Sequence, residues 1–162
     1  MTTSTERVKG KRSVAITLTT AMGPQHANTH GNVHGGMIMK LCDEAGGMAA
    51  AKYAQRPVVT VTVDSMSFMS PVHIGNLMTV TATISWVGRT SIETQVKVTA
   101  ENVMTGEVTH TNRAYFVYVA LGPDGRPTEV PHLLCETEEE KMRFQRAEDR
   151  RALRLKLKDS GG

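Results

Sequence analysis

An α+β fold follows from where the hydrophobic period changes along the chain. Before Pro57 one long segment is apolar with a helical period of about 3.6, and after Pro57 apolar residues alternate with a period of about 2. Four alternating segments then succeed one another with connections of hairpin length. Strands joined by short turns pair antiparallel, and such a sheet buries one face most simply against a helix. The expectation is a long, curved sheet holding the apolar helix in its concave side. No internal repeat competes with this reading.

Residues 1–12 are polar and charged and are expected to be flexible. Val14, Ile16 and Leu18 alternate with Ala15, Thr17 and Thr19 in a half-buried strand. Pro24, Gly23 and Gly31 punctuate a loop from Ala21 to His34, and the helix is expected from about Gly35 to about Tyr53, ended by Gln55-Arg56-Pro57. Val59, Val61 and Val63 open a strand reaching Phe68, and Ser70-Pro71 and His73 to Asn76 turn out of it. Met78, Val80, Ala82 and Ile84 mark the next strand, and Gly88-Arg89-Thr90 connects it tightly to the strand of Ile92, Thr94, Val96 and Val98. Asn102 to Gly106 forms a turn with Gly106 in the left-handed region, and Val108 to Leu121 is the last long strand. Residues 136–162 are charged, with Thr137 to Glu140 as a capping box; a solvated helix and tail are expected, although Leu153, Leu155 and Leu157 offer a docking surface.

The chain has 162 residues, which suits one domain, here residues 13–135 with its two charged ends. Aromatic residues make up 4%, too few for a platform that stacks nucleic-acid bases. The net charge of +3 is gathered at the two ends, where solvated tails account for it. Cys42 and Cys135 form no CxxC pair, and no run is long enough to span a membrane. Free thiols and the absence of a signal-like N-terminus point to the cytoplasm, with neither nucleic acid nor membrane insertion expected.

Asp43 is the residue that needs explaining, because an acid on a largely apolar helix is costly unless it is hydrogen-bonded or used. It shares a stripe with Lys40, Glu44 and Gly47, while Met37, Ile38, Met39, Leu41, Cys42, Ala45, Met48, Ala49 and Ala50 cover most of the remaining girth. Before this helix stands Asn32-Val33-His34-Gly35-Gly36. Paired glycines at a helix start leave N–H groups uncovered at the positive end of the dipole, a place that holds a polarised carbonyl oxygen. A carbonyl held at Gly35 and Gly36, with Asp43 two turns deeper, suits attack by an activated water; the plain alternative is a glycine cap and a solvent-facing acid. His26, His30 and His34 stand four apart, but Pro24 and Gly31 make a helical metal site there poor, and none is expected. Cys42 with His34 as base is a second candidate, and burial on the apolar face favours packing instead. Gly88-Arg89-Thr90-Ser91 alone is a turn carrying a cation.

Taken together, the blocks Gly31 to Gly36, Leu41 to Gly46, Val59 to Phe68, Ser70 to Gly75, Gly88 to Glu93 and Phe116 to Leu121 resemble the hotdog-fold acyl-CoA thioesterases. The likeness is to the YciA-type enzymes and the cytosolic acyl-CoA hydrolases, and it runs from about residue 13 to about 133. It implies hydrolysis of fatty acyl-CoA to a free acid and CoA, by a helix wrapped in an antiparallel sheet. Two such units pair as a double-hotdog dimer, often within a hexamer. Asp43 is implied as general base, or as a nucleophile through an anhydride, with Asn32 contributed by the partner subunit. CoA is implied near Arg89, Thr90 and Ser91, with His34 among the substrate contacts and the acyl chain beside Met37 and Leu41. A thiolate leaves readily, so neither a strong acid nor a cofactor beyond the CoA of the substrate is implied. Two rival classes share the fold: a non-catalytic acyl-CoA-binding unit, and a hydratase or dehydratase using a histidine–carboxylate pair.

Overall fold

The computed structural model describes residues 9–161. In chain order its elements are β1 (Ala15–Ala21), α1 (Gly35–Ala54), β2 (Val58–Phe68), β3 (Leu77–Val87), β4 (Ser91–Asn102), β5 (Glu107–Ala120) and α2 (Glu138–Ser160), with a 3₁₀ turn at Pro24–His26. The strands form one antiparallel sheet in the order β1-β3-β4-β5-β2. Because β1 and β2 lie at opposite edges, the segment joining them must cross the sheet. That segment contains α1, which touches all five strands. This is the hotdog architecture.

The start and stop of α1 are set locally. His34 is the N-cap, its side chain accepting from the Gly36 N–H, and Gln55 ends the helix with φ 52 before Pro57 forbids its continuation. Ile38, Leu41, Cys42, Ala45, Ala49, Ala50 and Tyr53 are buried against the sheet. Gly46 permits the closest approach: a Cβ there would lie 2.5 Å from the Tyr118 hydroxyl and 2.8 Å from Thr94 Oγ1. The girth is less completely covered than its composition suggests, since Met39 and Met48 are 40% and 59% exposed. They flank Lys40 and Glu44, so one face of α1 remains open.

Both ends of the chain depart from expectation. Residues 9–12, expected to be flexible, are tied down at Lys11, whose backbone exchanges hydrogen bonds with His132 and Leu134 and whose ammonium donates to the Tyr53 carbonyl. The expectation for residues 1–8 lies outside the described residues. The C-terminal helix is not merely solvated. Thr137 caps α2 by accepting from the Glu140 N–H, while the Glu140 carboxylate reaches back to the Glu136 N–H. Further along, α2 lies on the outer face of the sheet and clasps Glu93 on β4, which is fully buried. Arg150 gives Glu93 two hydrogen bonds, at 2.7 and 3.2 Å, and the Ser85 hydroxyl adds a third. Arg154 stands 3.6 Å from Glu93 and 2.8 Å from Asp64. The Trp86 indole donates to Glu148, and Ala147 is buried beneath. Charge alone did not reveal this anchoring because its counter-charge sits on a strand. Leu153, Leu155 and Leu157 stay exposed in the single chain.

Breaking a buried ion pair strands the remaining charge, which costs roughly 3 kcal/mol. Glu93→Ala is therefore expected to lower unfolding stability by about that amount and to shift the emission of Trp86, the single tryptophan, to the red as α2 loosens. Chemical denaturation followed by fluorescence checks this; an unchanged spectrum and midpoint would show that α2 does not depend on the pair.

Candidate active site

Asp43 is half-buried on α1, and strand register explains its setting. Thr60 on β2 and Tyr118 on β5 are direct cross-strand partners. The Thr60 hydroxyl donates to Asp43 Oδ1 at 2.8 Å and the Tyr118 hydroxyl to the same oxygen at 3.0 Å, also reaching the Asp43 carbonyl at 3.0 Å. One oxygen is thus held by two donors, while Oδ2 has no hydrogen-bond partner among the described residues. Burial first, and then the Asp43 charge, raise the Tyr118 phenol well above its ordinary range, so it stays a neutral donor at any working pH. Asp43 lines an open cleft of about 370 Å³ with Thr60, Tyr118, Glu44, Gly47, Met48, Ala51, Pro57 and Val58. A carboxylate that lines an open cleft with one oxygen held by two donors and the other left unpartnered can take a proton from water.

Neither Thr60 nor Tyr118 was singled out for a role by sequence reasoning, although both lie in blocks that carry the family resemblance. The one local clue was Gly46, whose missing side chain makes room for the phenol.

Asn32 lies elsewhere. It lines a second cleft, of about 300 Å³, with Asn28, Val33, Gly35, Ile38 and the loop from Phe68 to Val72. At about 1.5 Å per residue, Gly35 and Asp43 are separated by roughly 12 Å along the helix. Reacting groups must converge to about 3–3.5 Å, so a carbonyl held at Gly35 cannot be reached by a water held at the same chain's Asp43. The expectation that both serve one carbonyl within one chain is corrected by this spacing. The pair of uncovered amides is also reduced to one. The Gly36 N–H donates to His34 Nδ1 at 2.8 Å, whereas the Gly35 N–H has no partner among the described residues.

The remaining candidates sort clearly. His34 is the helix cap, and His26 Nδ1 accepts from the Gly23 N–H; no three potential metal-binding side chains converge among the described residues. Cys42 is completely buried and its thiol is pushed up to about 12, by burial and then by the Asp43 charge, which removes it as a nucleophile. Leu41 is buried and Met37 packs on the core, so neither lines the Asp43 cleft. Leu41 lies about 200° around the helix from Asp43, and Met48, Ala51 and Val58 provide the apolar wall instead. Arg89 is exposed, with Thr90 and Ser91 half-buried, in the β3–β4 connection. Ser91 pairs with Val119, and Val119 with Val59, which puts this turn at the same end of the sheet as the Asp43 cleft.

Tyr118→Phe removes a donor to a charged acceptor, an interaction worth roughly 1.5–3 kcal/mol. The variant is expected to melt at a lower temperature, because the carboxylate oxygen Oδ1 loses one of its two donors. Calorimetry measures this, and an unchanged melting temperature would contradict the clamp.

The sequence matches the family model of the Thioesterase superfamily over residues 30–107. It is 38% identical to Protein VdlD of Helicobacter pylori over 133 residues, 82% of this chain and 76% of that one. It is 34% identical to the acyl-CoA thioester hydrolase YkhA of Bacillus subtilis over 140 residues, 84% and 81% of the two chains. Among solved structures, an apo-hexameric acyl-CoA thioesterase superposes with TM-score 0.85 at 33% identity, covering 88% of this chain and 92% of that one. An acyl-CoA hydrolase from Staphylococcus aureus, solved with butyryl-CoA and CoA, gives TM-score 0.80 at 30% identity over 90% and 92%. Sequence and fold agree: the chain belongs to the hotdog-fold acyl-CoA thioester hydrolases of the Thioesterase superfamily.

Proposed function

We propose that this protein hydrolyses acyl-CoA thioesters to the free acid and CoA, at a site completed by a second copy of the chain. The observation that carries the reading is the Asp43 carboxylate, which lines the cleft with Oδ1 fixed by Thr60 and Tyr118 and Oδ2 unpartnered among the described residues. Oδ2 takes a proton from water as the water oxygen bonds to the thioester carbon. The C–S bond then breaks, the thiolate of CoA leaves, and the proton on Asp43 passes to the thiolate or to solvent. The Gly35 N–H, at the positive end of α1, and Asn32 serve the carbonyl oxygen.

The roughly 12 Å between these groups within one chain is the reason for the second copy. Asn32 and Gly35 of one subunit meet Asp43 of the other, giving two equivalent sites per dimer, as two-fold pairing requires. β2 supplies a surface for such pairing: it is an edge strand, and Val59, Val61 and Val63 are 44%, 51% and 40% exposed. Dimers would assemble further into a hexamer, the state named for the apo-hexameric relative. The phosphates of CoA are assigned to Arg89, Thr90 and Ser91, where a guanidinium and hydroxyls meet an anion. CoA enters as part of the substrate, and no other cofactor takes part. The two free thiols suit a reducing compartment such as the cytoplasm. Histidine–carboxylate chemistry of the hydratase type finds less support, since no hydrogen bond joins a histidine to Asp43 or Glu44 among the described residues.

Thiol release from a panel of acyl-CoAs tests the reading. Asp43→Asn keeps the shape and removes the base, and kcat is expected to fall by about 10²–10⁴, the range for general base catalysis. Hydrolysis by Asp43→Asn at the rate of the unaltered protein would remove Asp43 from the reaction.

A further inference from the structure

The outer face of the sheet carries more positive charge beneath α2 than the clasp on Glu93 uses. Gln95 and Lys97 follow Glu93 on the same face of β4, and register sets Tyr115 opposite Gln95 and Arg113 opposite Lys97. Like charges directly opposite on neighbouring strands weaken a sheet. Above this pair α2 presents Arg143, Arg146 and Arg150, spaced three and four residues apart and so on one stripe. The five cations line a single cleft of about 310 Å³ between helix and sheet. Glu139 also lines it and is answered by Arg143 at 3.3 Å, while Arg150 is answered by Glu93 at 2.7 Å. Lys97, Arg113 and Arg146 are left without an ion-pair partner among the described residues.

Packing does not account for this stripe. A helix held by packing turns apolar residues to its sheet, and α2 does so with the buried Ala147 and with Phe144, 6.4 Å from Trp86 between ring centres. On the flank toward Arg113 it leaves space instead, walled mainly by guanidinium groups. Part of that wall is fixed: the Arg150 guanidinium lies 3.7 Å over the Tyr115 ring, whose hydroxyl accepts from Gln95 Nε2 at 3.2 Å. We infer that the cleft binds a small anion carrying several phosphate groups, such as inorganic triphosphate or the triphosphate of a nucleotide. Guanidinium forks match phosphate oxygens in charge and geometry, and three unanswered cations call for a multiply charged partner. The volume falls within the roughly 300–1,000 Å³ of small-molecule sites. The cations converge from two walls on one cleft, which suits a small ligand better than a membrane surface or a nucleic-acid duplex. The site is separate from the Asp43 cleft, which lies on the α1 side of the sheet, and from the β3–β4 turn, since Lys97 is six residues or roughly 20 Å along β4 from Ser91. An anion bridging α2 to β4 and β5 binds only the folded chain and therefore stabilises it.

Calorimetric titration of the full-length protein with tripolyphosphate and with ATP, at low and high salt, tests the inference. Tripolyphosphate is expected to bind, to raise the melting temperature and to weaken with salt. Lys97 and Arg146 are exposed, so the fold should tolerate Lys97→Gln and Arg146→Gln. Each is expected to weaken binding about tenfold or more, whereas Lys158→Gln, on the same helix but outside the cleft, should change it by less than about twofold. ATP binding with the same pattern of losses also supports the site, and ATP tighter than tripolyphosphate identifies a nucleotide as the better ligand. Failure of the unaltered protein to bind either anion would overturn the proposal. So would equal losses in Lys158→Gln and Arg146→Gln, or a loss in Arg89→Gln that Arg146→Gln does not share. Binding of anionic vesicles or duplex DNA with none of tripolyphosphate would assign the patch to a macromolecular surface and overturn the small-ligand site.

Discussion

The rigidity of α1 governs how this protein can act. Eight residues of helix hold the Gly35 amide and the Asp43 carboxylate roughly 12 Å apart, and a regular helix buried in a sheet cannot bend to close that distance. A polarising group and a base therefore cannot serve one thioester carbon within one chain. On the proposed reading, what looks like one active site in the sequence is two half-sites of opposite kind, one at the start of the helix and one in its middle. In the proposed two-fold dimer each lies beside its complement, and the open edge at β2 with its exposed valines offers a place for that pairing.

Each half-site is assembled from parts distant in sequence. Register brings Thr60 beside Tyr118, and the absence of a side chain at Gly46 lets the phenol reach the helix. The same sheet that buries Ile38, Ala45 and Ala49 thus solvates, in effect, one oxygen of the single acid facing it. On its outer face the sheet buries a second acid, Glu93, and here the answer is structural: the arginines of α2 neutralise it. The two carboxylates receive different solutions. The one at Asp43 leaves an oxygen free to accept a proton, whereas the one at Glu93 commits both oxygens.

Much of this was legible in the residues themselves. The change of period at Pro57 identified the helix and strands, and the cost of an acid on an apolar helix identified Asp43. The charged C-terminus was misread as solvated because its partners, Glu93 and Asp64, lie far back in the chain. The family resemblance put the acyl chain beside Met37 and Leu41, whereas the helical rotation of about 100° per residue turns Leu41 away from Asp43. The Thr60–Asp43–Tyr118 clamp depends on strand register, which no local pattern encodes. The double duty of the glycines was only half visible, since His34 claims the Gly36 amide as a cap.

The most direct measurement of the shared site uses chains that are each disabled in one half. Asn32→Ala and Asp43→Ala proteins, each expected to be inactive alone, are denatured together in equal amounts, refolded, and assayed for thiol release from an acyl-CoA. Random pairing makes half of the dimers mixed, and each mixed dimer holds one intact site of two, so about one quarter of the original activity should return for a two-fold dimer. Activity no greater than the sum of the two separate parents would contradict a site divided between subunits.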